Sequence, residues 1–263
     1  MLNQNNTQSI LFVVLGETMH ELELARGILC DTEICTNIYL EDNGYAVEQS
    51  VISAMNRLAA CRMVVIAAAK GGAMLQGALK LAKLAKDRGL LAVVETPYYG
   101  KVQTESLSVR PISLKELMTQ TDCMLCATED QFYHDVQRFQ LYLTSVLDGN
   151  DFIYLDFDDI SSVLKDSGFA YLGEASFTGV DIAARKLGMA SVELLSRDIL
   201  ANARGVIMHI VGSEDIGLED VEAVVGMVQS HTHPDGVLIF GAGFDSDLHQ
   251  EIRVSVLAAG FRD

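Results

Sequence analysis

Ile10-Leu11-Phe12-Val13-Val14-Leu15 is a short, unbroken apolar run, the pattern of a strand buried on both faces. A helical pattern follows from about Thr18 to Leu29, so the chain opens as a β-strand feeding a helix. Outward from this unit the theme recurs. A helical stretch spans about Val47 to Ala60, a strand Met63 to Ala68, a helix Ala73 to Arg88 and a strand Leu90 to Val94. Gly89 stops the third helix by supplying the left-handed backbone that ends it. Cys123 to Ala127 reads as a further strand, and a long helical stretch runs from Glu129 to Leu147. Strands alternating with helices predict a doubly wound, mostly parallel sheet in this half.

The acidic segment Asp151 to Asp159 marks the boundary, giving an N-terminal domain of residues 1–150 and a smaller α+β domain of residues 151–263. The second half opens with a helix near Phe157 to Asp166, a strand at Phe169 to Leu172 and a helix from about Gly179 to Ser196. A strand at Val206 to Val211 follows. Leu218, Val221, Val224, Val225 and Val228 then recur at helical spacing behind Glu219 and Asp220, whose charges favour a helix N-terminus. Val237 to Phe240 and Ile252 to Ala258 read as strands joined only by a loop, which predicts neighbouring, antiparallel partners within the second sheet.

The net charge of −17, from 36 acidic against 19 basic residues, repels phosphate backbones and anionic lipid. Tryptophan is absent and no basic stripe is interleaved with aromatics, so neither nucleic acid nor a membrane is an expected partner. Met1 to Ser9 lacks the charged and apolar regions of a secretory signal, and the apolar runs are too short to span a bilayer; a cytoplasmic location is expected. Cys123 and Cys126 form a CxxC, but within a buried-strand pattern and with no second pair at zinc spacing. These two read as buried structural thiols, and with Cys30, Cys35 and Cys61 they make an odd number for which no disulfide framework is expected. His231-Thr232-His233-Pro234-Asp235 reads as a solvated turn, and no metal site is expected.

From Asp156 onward the sequence resembles the C-terminal, activation domain of the FtsZ/tubulin family. The carrying segments are Leu155-Asp156-Phe157-Asp158-Asp159, Ser167-Gly168-Phe169-Ala170, Ala203-Arg204-Gly205-Val206 and Glu251-Ile252-Arg253-Val254-Ser255-Val256-Leu257-Ala258-Ala259-Gly260. In the first half, Ala85-Lys86-Asp87-Arg88-Gly89-Leu90-Leu91 followed by Thr96-Pro97 is similar to the helix and strand after the family's glycine-rich phosphate loop. The resemblance implies a long central helix joining the two domains.

It also locates the phosphate loop. The family pattern GGGTGTG lets backbone amides approach phosphates at a helix N-terminus. Here Lys70 precedes Gly71-Gly72-Ala73-Met74-Leu75-Gln76-Gly77. Gly71, Gly72 and Gly77 match, whereas Met74 replaces a hydroxyl donor and Leu75 a glycine. The first nucleotide loop is Gly16-Glu17-Thr18-Met19-His20-Glu21, whose two carboxylates would repel a polyphosphate. No cofactor is therefore expected, with GTP and magnesium the alternative.

The resemblance assigns Asp156 and Asp159 to the family's synergy loop, which orients the attacking water on a neighbouring subunit's γ-phosphate, although Tyr154 stands where the family carries asparagine. Acidic residues at a helix start also cap it without any catalysis. The chain runs only to Asp263, so recruitment through the family's C-terminal tether-binding peptide is not expected. The expected role is a non-catalytic FtsZ-like protein working through contacts with itself, as a homodimer or short polymer, or with FtsZ. The alternative is a divergent polymerising GTPase of cell division in which Lys70 supplies a phosphate contact.

Overall fold

The computed structural model describes residues 9–16, 18–41, 45–57, 61–69, 72–97, 112–149, 151–178, 197–214, 216–249 and 251–261. They form two compact units. The first comprises Met1–Thr144, Leu164–Phe169 and Asp263; the second comprises Ser145–Val163 and Ala170–Arg262.

In the first unit, β1 (Ser9–Gly16), α1 (Met19–Ile28), β2 (Cys35–Glu41), α2 (Tyr45–Arg57), β3 (Cys61–Ala68), α3 (Gly72–Asp87), β4 (Leu91–Pro97), α4 (Ile112–Gln120), β5 (Cys123–Ala127) and the start of α5 (Phe132–Leu147) follow one another. The strands order as β2-β1-β3-β4-β5, every pair parallel. The run that opened the sequence reading explains the arrangement: Ile10 through Leu15 are all 0% exposed, as a strand sandwiched between helical layers requires. α3 contributes a buried stripe of Met74, Ala78, Leu81, Ala82 and Ala85. It ends where Gly89 takes φ 73° and the Leu90 amide donates back to the Ala85 carbonyl.

The second unit carries α6 (Phe157–Leu164), most of β6 (Gly168–Thr178), α7 (Arg197–Asn202), β7 (Gly205–Gly212), α8 (Leu218–Gln229), β8 (Val237–Phe244) and β9 (Glu251–Phe261). Its strands order as β6-β9-β7-β8, with β7 parallel to β8 and antiparallel to β9. The apolar stripe Val221, Val224 and Val228 of α8 packs on Val206, Met208 and Ile210 of β7 and on Val254 and Val256 of β9.

Three sequence expectations change. The second sheet is partly antiparallel, but β8 and β9 are not partners: α8 carries the chain across from β7 to a parallel β8, and β9 returns to the other side of β7. Three elements, β2, α4 and the short α7, were not anticipated. β2, Cys-Thr-Asn-Ile-Tyr-Leu-Glu, is an edge strand whose middle residues are only half-buried, so it lacks the continuous apolar signal of its neighbours. α4 has Ser113, Lys115, Glu116, Thr119 and Gln120 among its nine residues and shows too thin an apolar face. The helix expected from Gly179 to Ser196 lies outside the described residues.

Candidate functional site

The N-terminus of α6 is built by two aspartates. Asp156 Oδ1 accepts from the amides of Asp158 at 2.8 Å and Asp159 at 3.0 Å, while Asp159 Oδ2 accepts from the Asp156 amide at 2.9 Å. This reciprocal box satisfies amides that a helix start otherwise leaves unpaired. Phe157 and Ile160, both buried, anchor the turn beneath it. One oxygen of each carboxylate, Oδ2 of Asp156 and Oδ1 of Asp159, takes no part in the box.

The segment leading into this turn is held from two sides. Ile153 forms an antiparallel bridge with Ala242 of β8, each amide donating to the other's carbonyl at 3.0 Å. Asp151 Oδ2 lies 2.8 Å from His209 Nε2, both side chains almost fully buried, and Ser145 Oγ lies 3.4 Å from His209 Nδ1. Glycines permit the close packing. A Cβ at Gly241 would stand 2.8 Å from Leu155, and one at Gly243 would collide with the Asp151 carboxylate. Between these ties, Phe152 and Tyr154 remain 41% and 49% exposed.

The carboxyl edge of the first sheet, where open α/β sheets hold ligands, is acidic. Thr18 caps α1, and Glu21 reaches back to the Thr18 amide at 3.3 Å, so a carboxylate of the chain already sits on this helix N-terminus. Tyr133 is pushed up to about 12 by burial and, next, by the Glu21 charge. At the end of β4, Glu95 is 1% exposed and its Oε2 has no partner among the described residues. Burial first, then the charge of Asp135, holds its carboxyl well above the ordinary carboxylate range, against a smaller opposing pull from Arg138. Asp135 Oδ2 accepts from the Thr128 amide and hydroxyl, both at 2.7 Å, and its Oδ1 pairs with Arg138 at 3.2 Å.

Of the phosphate-loop residues, Lys70 and Gly71 lie outside the described residues; Gly72 starts α3 and Gly77 is half-buried within it. Met74 and Leu75 are core residues, 1% and 8% exposed. The glycines belong to the first unit, Asp156 and Asp159 to the second.

Cys123 is buried within β5 and pushed up to about 12 by burial, which leaves it an inert thiol. His231 and His233 sit in the turn between α8 and β8, where His231 Nδ1 lies 2.9 Å from the Met227 carbonyl. Among the described residues no group of three or more His, Cys, Asp or Glu is placed to hold a metal, and no helix is long and apolar enough to cross a membrane. The sequence reading missed His209, Asp151 and Glu95; the signal was a histidine or glutamate inside an apolar strand run.

A parallel sheet ending in a long helix, followed by a mixed sheet backed by α8, defines an α/β protein of the tubulin-like fold. Residues 168–262 match the model of the FtsZ family's C-terminal domain. The mitochondrial division protein fszA of Dictyostelium discoideum is 29% identical over 82% of this chain, which spans 45% of that protein's length. The cell division protein FtsZ of Wolbachia is 27% identical over 98% of this chain and 74% of its own length. The FtsZ dimer of M. jannaschii superposes with a TM-score of 0.70 at 20% identity, covering 98% of this chain and 89% of that one. CetZ2 from Haloferax volcanii, solved as a GTPγS-bound protofilament, also gives 0.70, at 16% identity, covering 97% and 93%. Over residues 168–262 the chain is thus similar to the FtsZ family's C-terminal domain, and over nearly its whole length it has the fold of FtsZ and CetZ.

Proposed function

We propose that this protein is a non-catalytic FtsZ-like protein that acts through protein contacts, adding to itself or to an FtsZ-type filament by the surface around Asp156 and Asp159. The observation that carries the reading is an asymmetry. The α6 turn is fully built and buttressed, whereas the side chains at the matching nucleotide loops serve other ends. Met74 and Leu75 are buried in the core, where their side chains offer no hydroxyl to a phosphate, and Glu21 occupies the α1 N-terminus with negative charge. An added polyphosphate would meet that charge in a partly buried setting, where repulsion is strong. One-sided addition to a filament end caps it, which would make the protein a regulator of division.

Isothermal calorimetry of the purified protein with GTP and GDP, with magnesium present, tests the nucleotide half of the reading: no heat of binding is expected, and stoichiometric binding overturns it. The contact half is tested by adding the protein in excess to polymerising FtsZ and following light scattering and phosphate release. Unchanged assembly and turnover remove the capping role.

A divergent GTPase is the second reading, favoured by the carboxylate oxygens of Asp156 and Asp159 that stay outside the capping box and are free to orient water. Its signature is GTP turnover that rises with protein concentration and falls in Asp156→Ala and Asp159→Ala.

A further inference from the structure

We propose that the outer edge of β8, from Leu238 to Phe240, is a strand-addition site for an extended apolar peptide flanked by basic residues. Among the described residues β8 is the last strand of its sheet, with β7 on one side only. Main-chain groups along a strand alternate in direction, so the residues whose N–H and C=O turn away from β7 share the parity of Ala242. Ala242 itself uses both groups on Ile153. The main-chain groups of Leu238 and Phe240 face the same way, and no described residue hydrogen-bonds them. The chain thus already lays one antiparallel residue on this edge and leaves the adjoining stretch open.

The side chains fit an apolar visitor. Val237-Leu238-Ile239-Phe240 carries no charge, Val237 is 57% exposed, and the next three are half-buried. Natural proteins guard exposed edges of this kind with lysine, proline or a bulge, and none of these occurs within Val237–Phe244. Peptides that extend a sheet gain affinity from main-chain pairing and selectivity from alternate side chains.

Charge decides between occupants. Asp235 precedes the strand, Asp245 and Asp247 follow it, and no lysine or arginine occurs between Arg204 and Arg253. A second copy would bring another −17 to this face, whereas a strand with flanking lysines or arginines meets complementary charge.

The probe is a fluorescein-labelled peptide, KKVTVIVKK, titrated with the full chain by fluorescence anisotropy. Saturable binding is expected, weakened at least ~10-fold by the acidic peptide EEVTVIVEE and abolished by N-methylating alternate amides of the basic peptide. Leu238→Pro removes the outward-facing amide together with a half-buried side chain packed on the core, so its unfolding midpoint should fall, and at temperatures below that midpoint it should lose binding. Absence of saturable binding overturns the proposal. So does equal binding by the N-methylated peptide, or by folded Leu238→Pro below its own midpoint. Sedimentation equilibrium supplies the remaining outcome: a dimer of the protein alone that Leu238→Pro dissociates assigns the edge to a second copy and overturns the peptide site. No readout here involves nucleotide or FtsZ, so the result stands apart from the function proposed above.

Discussion

Asp156 and Asp159 cap each other: the first accepts the second's amide at 3.0 Å and the second accepts the first's at 2.9 Å. A pair assigned to water activation by family likeness is therefore also the fastening of its own helix, and the two roles separate by substitution. Asp156→Asn keeps a capping side chain and should leave the urea midpoint nearly unchanged. Asp156→Ala should cost about 1 kcal/mol. If Ala and Asn variants unfold at the same midpoint, the box contributes nothing to stability.

Glu95 makes stability depend on pH in the opposite sense to a surface carboxylate. Its folded carboxyl is held well above the ordinary value of 4.5 by burial and then by Asp135. The folded state therefore keeps a proton that the unfolded chain releases. This favours folding fully below about pH 4.5 and is lost as pH climbs from there through the raised folded value. Glu95→Gln should raise the unfolding midpoint at pH 7 and flatten its fall as pH rises above about 4.5. A variant with the slope of the parent shows that another group sets it.

His209→Leu leaves Asp151 buried without its partner, a change expected to cost about 2 to 3 kcal/mol. The loss should be local before it is global. Hydrogen exchange at the Ile153 and Ala242 amides should quicken more than exchange at Val224 in α8. The double variant with Asp151→Ala should cost less than the sum of the two singles; strict additivity would mean that the pair does not interact.

Lys86 Nζ lies 3.2 Å from both Asp122 and Asp166. Partial burial disfavours its charge, yet the two aspartates outweigh that and hold the ammonium above its ordinary value. Asp122, 5% exposed at its side chain, also accepts from the Ala92 amide at 2.8 Å. Lys86→Met should cost about 1 to 2 kcal/mol, discounted for the lysine's partial exposure, because it leaves Asp122 short of its counter-ion. A urea series on both proteins reads this directly, and an unchanged midpoint places the ion pair among those worth nothing.

The parallel half of the fold was legible because its central strands are apolar on both faces: Ile10 to Leu15 and Met63 to Ala68 announce themselves without any alternation to decode. β2 was not legible, since an edge strand with Asn37 and Thr36 has only half a face to bury. The strand read as ending at Val94 continues through Glu95 to Pro97, because a glutamate looks like a boundary until the surroundings that bury it are known. At the site, Asp156 and Asp159 were visible through the family resemblance of the segment Leu155 to Asp159. Their support was not: His209 and Asp151 stand 58 residues apart and meet only through the sheet. Pairing of β8 with β9 was misread for a related reason, as chain adjacency says nothing of a strand that returns across β7.

That return has a consequence for how the second unit comes into being. β9 is the last of its four strands in chain order but lies inside the sheet, between β6 and β7. A ribosome delivers the strands in sequence, so β6 and the β7–β8 pair emerge with no shared edge and must wait, with the β7 edge unpaired, until Glu251–Phe261 arrives between them. The half of the protein proposed to meet other proteins is thus the half that stays open longest during its own synthesis.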